Sequence, residues 1–205
     1  MHKENLATAG ASLETASRAL IMIHGRGGSA ADILSLAEHL NVAGYALMAP
    51  QATGHTWYPQ SFLAPPAQNE PSLSSALNLL QQLVAGILRK GMRPEQICFL
   101  GFSQGACLML EFLARNAMKY GGAAAFTGGL IGDRIYPANY SGIFDGMPVF
   151  IGSSDPDIHV PVQRVKETTR MLESMGATVT EKIYANMGHT ISREELDLAN
   201  GLIFG

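Results

Sequence analysis

The chain has 205 residues, of which 47% are hydrophobic and 15% charged, with a formal net charge of −3; this suits one folded domain over 1–205 and excludes a disordered chain. No basic run marks a nucleic-acid or anionic-membrane surface, and the longest apolar segment, around Leu77 to Leu88, is broken by Gln81 and Gln82 and too short to span a bilayer. The N-terminal "MHKENLATAGASLETAS" lacks the apolar core of a secretory signal, so a cytoplasmic protein without a membrane span is expected.

Short apolar runs then alternate with helix-like segments. "ALIMI" (19–23) predicts a strand, followed by the glycine-rich "HGRGGS" and a helix over 30–43; "YALMA" (45–49) predicts the next strand. Residues 50–71 carry five prolines and the only tryptophan and predict a long loop, a feature that is usually functional in a compact domain. Ser72, just after Pro71, opens a helix that Gly91 ends. Further strands are predicted at 97–101, 123–126, 148–152 and 179–184, with helices near 104–118, 160–175 and 192–202. Most of the strand runs lack polar alternation, the pattern of strands buried on both faces. The alternation of strand and helix predicts an α/β fold with a mostly parallel central sheet and helices on both faces. Cys98 and Cys107 sit in apolar runs without metal or redox spacing and read as core thiols.

Within "FLGFSQGACLML" the pentapeptide Gly101-Phe102-Ser103-Gln104-Gly105 follows a predicted strand and opens a predicted helix. In a chain with 22 glycines such a match is cheap, and its context gives it weight: a serine on a sharp strand-to-helix turn is a nucleophile elbow. The flanking glycines remove side chains that would collide as strand and helix close together. The backbone N–H of Gln104, at the new helix N-terminus, can face a developing oxyanion. A serine hydroxyl needs a base and the base an orienting acid, in the chain order Ser, Asp or Glu, His. "PVFIGSSDPDIHVP" and "VTEKIYANMGHTIS" supply both after strands, at the carboxyl ends where such sheets place ligands. Only His189 lies behind a strand and a glycine, downstream of the other groups. His2, His39 and His55 read as loop residues, His24 as support for the first loop, and His159 as a weak competitor. Spacing does not separate Asp155 from Asp157 as the acid. No His-carboxylate cluster suggests a metal.

The first loop, Gly25-Arg26-Gly27-Gly28-Ser29-Ala30, also matches a loose dinucleotide fingerprint. That reading requires an acid at the end of the next strand, where "MAPQATG" has none. The glycines instead bring a backbone N–H, that of Arg26, to the serine as a second oxyanion donor.

Taken together, "IMIHGRGG", "APQATGHTWYP", "LGFSQGACL", "DIHVP" and "MGHTIS" resemble the phospholipase/carboxylesterase family of small α/β-hydrolases, which also contains the acyl-protein thioesterases. The resemblance runs from about residue 19 to 195. It implies an α/β-hydrolase fold with minimal or no cap domain, and a serine carboxylic-ester hydrolase that needs no cofactor or metal and forms an acyl-enzyme. By resemblance, Ser103 is the nucleophile, His189 the base, Gln104 and Arg26 the oxyanion donors, and Trp57 and Tyr58 the aromatic pair of the substrate loop. The family's distance from Asp to a Val-Pro pair selects Asp157, whereas the distance from the upstream glycine selects Asp155, so this loop carries two extra residues. Thioesterase relatives often have a leucine in place of Arg26, which argues against a long-acyl thioesterase. The short connections predict an open cleft and short to medium acyl esters as small-molecule substrates. Thioesterase or lysophospholipase activity of the same family and a non-catalytic small-molecule-binding protein are the alternatives, and the resemblance allows a homodimer.

Overall fold

Side chains along the central strands are apolar on both sides because both faces of the sheet are covered. The computed structural model describes residues Met1–Gly205. Seven strands form one sheet: β1 (Leu6–Gly10), β2 (Arg18–Ile23), β3 (Tyr45–Pro50), β4 (Ile97–Phe102), β5 (Gly122–Phe126), β6 (Pro148–Asp155) and β7 (Thr178–Ala185), in the order β1-β3-β2-β4-β5-β6-β7. Only the β1–β3 pair is antiparallel. Five α-helices cover the sheet: α1 (Ala30–Ser35), α2 (Ser72–Arg89), α3 (Gln104–Arg115), α4 (Val162–Ser174) and α5 (Arg193–Ala199), the last continued by a π-helical turn, Asn200–Phe204.

Alternate strand residues feed two cores. Ala19, Ile21 and Ile23 of β2 join a cluster with Leu80 of α2, Phe112 of α3 and Leu172 of α4. Leu20 and Met22 face the other side, with Ile33 of α1, Leu196 of α5 and Phe204. Helices α2 to α4 therefore lie over one face and α1 and α5 over the other, and burial of both faces supplies the hydrophobic stabilisation of the sheet. Residues Gln104 to Ala114 of α3 are all buried, as expected of a helix apolar nearly all round. Its one acid, Glu111, is bonded through Oε1 to Arg115 Nε at 2.8 Å and through Oε2 to the Ile131 N–H at 3.1 Å.

Three expectations change. Strand β1 was not anticipated: "LATAG" has no apolar run, and its backbone ladder to β3, extended by Gln51 N–H to Asn5 O at 2.8 Å, holds it at the sheet edge. The helix expected over 30–43 is α for six residues and then tightens into a 3₁₀ turn, Leu36–His39. Beyond it the Asn41 N–H donates to Asn200 Oδ1 at 2.7 Å, so the chain leaves helical pairing for a side chain 159 positions away. The 50–71 loop contains two short 3₁₀ turns, Thr53–His55 and Pro66–Asn69.

Strand order reverses at β2, from which the chain goes first to β3 on one side and later to β4 on the other. The crevice at the carboxyl ends of β2 and β4 is the position where open α/β sheets place ligands. Helix α3 can start there only because it comes very close to the sheet. A Cβ on Gly105 would lie 2.5 Å from the His24 carbonyl oxygen, and one on Gly101 would lie 2.8 Å from the Ala106 backbone. Gly105→Ala is therefore expected to destabilise the protein by about 1–3 kcal/mol, read as a lower midpoint in urea unfolding, whereas the same change at Gly201, which has open space around it, should be tolerated.

Candidate active site

Ser103 stands between β4 and α3 with φ 52° and ψ −119°, a conformation that costs a non-glycine residue roughly 1–3 kcal/mol. Its surroundings hold it there. The Ser103 N–H donates to Phe126 O at 2.9 Å, and its carbonyl accepts from the Cys107 N–H at 3.0 Å. The strained turn lifts the hydroxyl out of the sheet, where His189 Nε2 lies 2.8 Å from Ser103 Oγ.

His189 follows β7 and Asp157 follows β6. His189 Nδ1 is 2.8 Å from Asp157 Oδ2, while Asp157 Oδ1 accepts the His159 and Val160 N–H groups at 2.7 and 2.8 Å. The Asp157 side chain is fully buried and that of His189 is 19% exposed. Burial pushes the Asp157 carboxyl up, but the Val160 and His159 amides and the His189 ring outweigh it and hold the group below the usual carboxylate range. Asp155 stands apart. It is the last residue of β6, paired in register with Ala185, its carbonyl accepts from the Asn186 N–H at 3.0 Å, and its side chain is exposed.

The loop after β2 is organised from beneath by His24, which is 1% exposed. Its Nε2 accepts the Ala52 N–H at 3.1 Å, so Nδ1 carries the proton and donates to Gly25 O at 2.7 Å. Burial lowers the His24 pKa and favours this neutral form. Gly25 O also accepts the Gly28 N–H at 3.1 Å. In a trans peptide the N–H points opposite to the C=O, so pinning the Gly25 carbonyl turns the Arg26 N–H away from His24. Neither that N–H nor the N–H of Gln104, the first residue of α3, has a partner in the protein.

Gly25, Arg26, Ser103, Gln104 and His189 line one cleft of ≈ 450 Å³ with Tyr58, Phe62, Phe102, Cys107, His159 and Val160. Cys107, one helical turn after the serine, is a buried thiol whose pKa burial pushes up to about 12, so it offers an uncharged floor. His159 packs edge-on against the His189 ring, 4.8 Å between centroids. Trp57 departs from the expected pocket pair: it is 0% exposed and does not line the cleft. Its Nε1 donates to His24 O at 2.8 Å and its backbone N–H to Gln104 Oε1 at 2.9 Å. An indole so placed packs the substrate loop onto the sheet and leaves the cleft wall to Tyr58.

The sequence profile of the phospholipase/carboxylesterase family matches residues 7–203. The chain belongs to that family. A phospholipase/carboxylesterase from Dyadobacter fermentans is 50% identical, with a TM-score of 0.98 over 100% of this chain and 98% of that one. The carboxylesterase of Bacillus cereus shares the fold at 21% identity, with a TM-score of 0.77 over 97% and 92%. Acyl-protein thioesterase 1 of Saccharomyces cerevisiae is 34% identical over 129 residues, 62% of this chain and 57% of that protein. The chain spans about half the length of the first curated relatives it matches. The mostly parallel sheet with its serine turn is the α/β-hydrolase fold of the family.

In this member of the phospholipase/carboxylesterase family, the Arg26 guanidinium lies outside sequence reasoning: it bonds the backbone carbonyls of Tyr58, Pro59 and Gln60, partners that no motif announces. His24, read from the sequence as support for the first loop, gives that support through its Nδ1–H on Gly25 O. Because the folded-state pKa of Asp157 is lowered, this group adds stability that is present above its unfolded value, near 3.9, and lost as pH falls through the folded one. Urea unfolding of wild type and Asp157→Asn between pH 6 and pH 3 is expected to show the stability gap narrowing as pH falls.

Proposed function

We propose that this protein is a serine carboxylic-ester hydrolase working through Ser103, His189 and Asp157. The reading rests on one observation above the rest, the unbroken relay from Asp157 Oδ2 through His189 to Ser103 Oγ at 2.8 and 2.8 Å on a strained serine turn. Asp157 accepts a hydrogen bond from His189 Nδ1–H, which keeps the proton on Nδ1 and leaves Nε2 free to take the hydroxyl proton. Ser103 Oγ then attacks the ester carbonyl. The resulting oxyanion is received by the N–H groups of Gln104 and Arg26, and loss of one such donor typically costs about 2.7–4 kcal/mol. His189 returns the proton to the leaving alcohol, and the acyl group stays on Ser103. A water molecule gives a proton to His189 and attacks the acyl carbonyl; His189 then hands that proton to Ser103 Oγ as its bond to the acyl carbon breaks, releasing the carboxylic acid and the free serine.

The substrate class follows from the cleft. Its floor and walls carry Tyr58, Phe62, Phe102 and Val160, and no acidic side chain lines it. Short to medium acyl esters fit such a site. The same chemistry would cleave a thioester, as the acyl-protein thioesterase relatives suggest by their name, so the assay compares oxygen and sulfur esters of equal acyl length.

A fluorophosphonate probe is expected to label Ser103, located by digestion and mass spectrometry, and to leave His189→Ala unlabelled. Turnover of p-nitrophenyl butyrate should fall on the order of 10⁴-fold in Asp157→Asn, while Asp155→Asn stays within about twofold of wild type. The reverse ranking of the two aspartates would move the acid to Asp155, and a folded protein without probe labelling would remove the hydrolase reading.

A further inference from the structure

Arg26 carries a side chain whose bonding is unusual for a surface arginine. Its Nη2 donates to Tyr58 O at 2.9 Å and to Gln60 O at 2.7 Å, and its Nη1 to Pro59 O at 3.1 Å. Three consecutive carbonyls of the proline-rich loop are thus held by one planar fork, the geometry that distinguishes arginine from lysine. No carboxylate pairs with it. Gln104 holds the same turn from the other side: its Nε2 donates to Tyr58 O at 2.9 Å and its Oε1 accepts the Trp57 N–H. The two residues whose amides serve the oxyanion therefore also carry the side chains that hold residues 57–60.

The direction of the substrate follows from the chemistry. His189 hands its proton to the leaving oxygen, so the leaving group lies on the side of His189, His159 and Val160. The acyl chain extends the other way, toward the wall built by Tyr58 to Phe62. Arg26 holds the near end of that wall at Tyr58 to Gln60, while Asn69 accepts the Gln60 N–H at 2.8 Å and donates to Ser61 O at 3.0 Å, and the Gly132 N–H donates to Phe62 O at 2.7 Å; of these three anchors Arg26 is the one that itself lines the cleft. We propose that the Arg26 side chain is a positioning residue that locks this wall and so sets the upper limit of acyl-chain length; the proposal rests on the ester-hydrolase reading above. Without the fork, Tyr58 O keeps its bond to Gln104, but Pro59 O and Gln60 O lose theirs, and the wall can retreat before a longer chain.

The test is a chain-length series of p-nitrophenyl acetate, butyrate, octanoate and decanoate with wild type, Arg26→Met, which keeps length and loses every donor, and Arg26→Lys, which keeps the charge and loses the fork. In Arg26→Met the octanoate-to-butyrate ratio of kcat/KM is expected to rise about tenfold, chiefly through a higher KM for butyrate and a lower one for octanoate. Arg26→Lys should fall between the two. Amide hydrogen exchange over residues 58–62 should quicken in the same order. An unchanged ratio in folded, active Arg26→Met, or an equal loss of kcat on every ester, overturns the proposal and leaves the hydrolase reading intact. If Arg26→Met does not fold, Arg26→Lys decides on the same ratio. A wild type that turns over none of the four esters overturns both.

Discussion

The site depends on how closely helix α3 approaches the sheet. A helix that buries every residue from Gln104 to Ala114 must start within van der Waals reach of β2 and β4, and Gly101 and Gly105 are where Cβ atoms would stop it. The residue between them is forced to φ 52°, and this bend points its side chain away from the core. Exposure of the Ser103 hydroxyl is thus a by-product of core packing, and the strain at Ser103 is offset by the apolar area the helix buries. The same approach leaves the first amide of α3 unpaired beside the serine.

A parallel sheet gathers the remaining parts. Strands β2, β4, β6 and β7 all end at the same rim, so the loops carrying Arg26, Ser103, Asp157 and His189 meet although they lie 163 positions apart in sequence at the extremes. What each loop then does is decided by backbone groups. Two amides keep Asp157 ionised, one carbonyl held by His24 turns the Arg26 peptide, and three carbonyls hold the Arg26 guanidinium. Charge-assisted bonds to fixed backbone dipoles are stronger than neutral ones and need no second mobile side chain.

This division explains what could be read from the sequence. The buried strands and the serine turn were legible because apolar runs and paired glycines report packing directly. His189, which lies 2.8 Å from Ser103 Oγ, stands out in the sequence because a glycine-histidine pair after a strand, downstream of the other groups, has few rivals in a chain of six histidines. Strand β1 was not, since its small residues leave only a hydrogen-bond ladder to define it. Trp57 was read as a pocket residue because a lone tryptophan in a proline-rich loop looks the same from outside whether its ring faces substrate or core. Its burial is set by the His24 carbonyl below it, which no local pattern contains.

Register places Asp155 and Asp157 differently. The β6–β7 ladder runs unbroken from the Pro148–Thr178 pair to the Asp155–Ala185 pair, so Asp155 is committed to extended backbone with its side chain outside the site. Ser154, one residue earlier, is buried; its Oγ accepts the Gly188 N–H at 2.9 Å and donates to Pro156 O at 3.2 Å, tying the His189 loop to the Asp157 loop. The chain can turn back only beyond the ladder, and Asp157 is the first acid there. Behind the same rim lies a carboxyl of opposite character. Glu195 is fully buried; its Oε2 accepts the Ser192 N–H at 2.7 Å while its Oε1, against Gly152, has no partner. Burial raises its pKa, so it contributes stability that is lost as pH rises, the reverse of Asp157. Two buried acids are thus shifted in opposite directions, Glu195 upward by burial and Asp157 downward by the amides and the histidine ring it meets. Only Asp157 has both oxygens satisfied, one by two amides and one by the His189 ring.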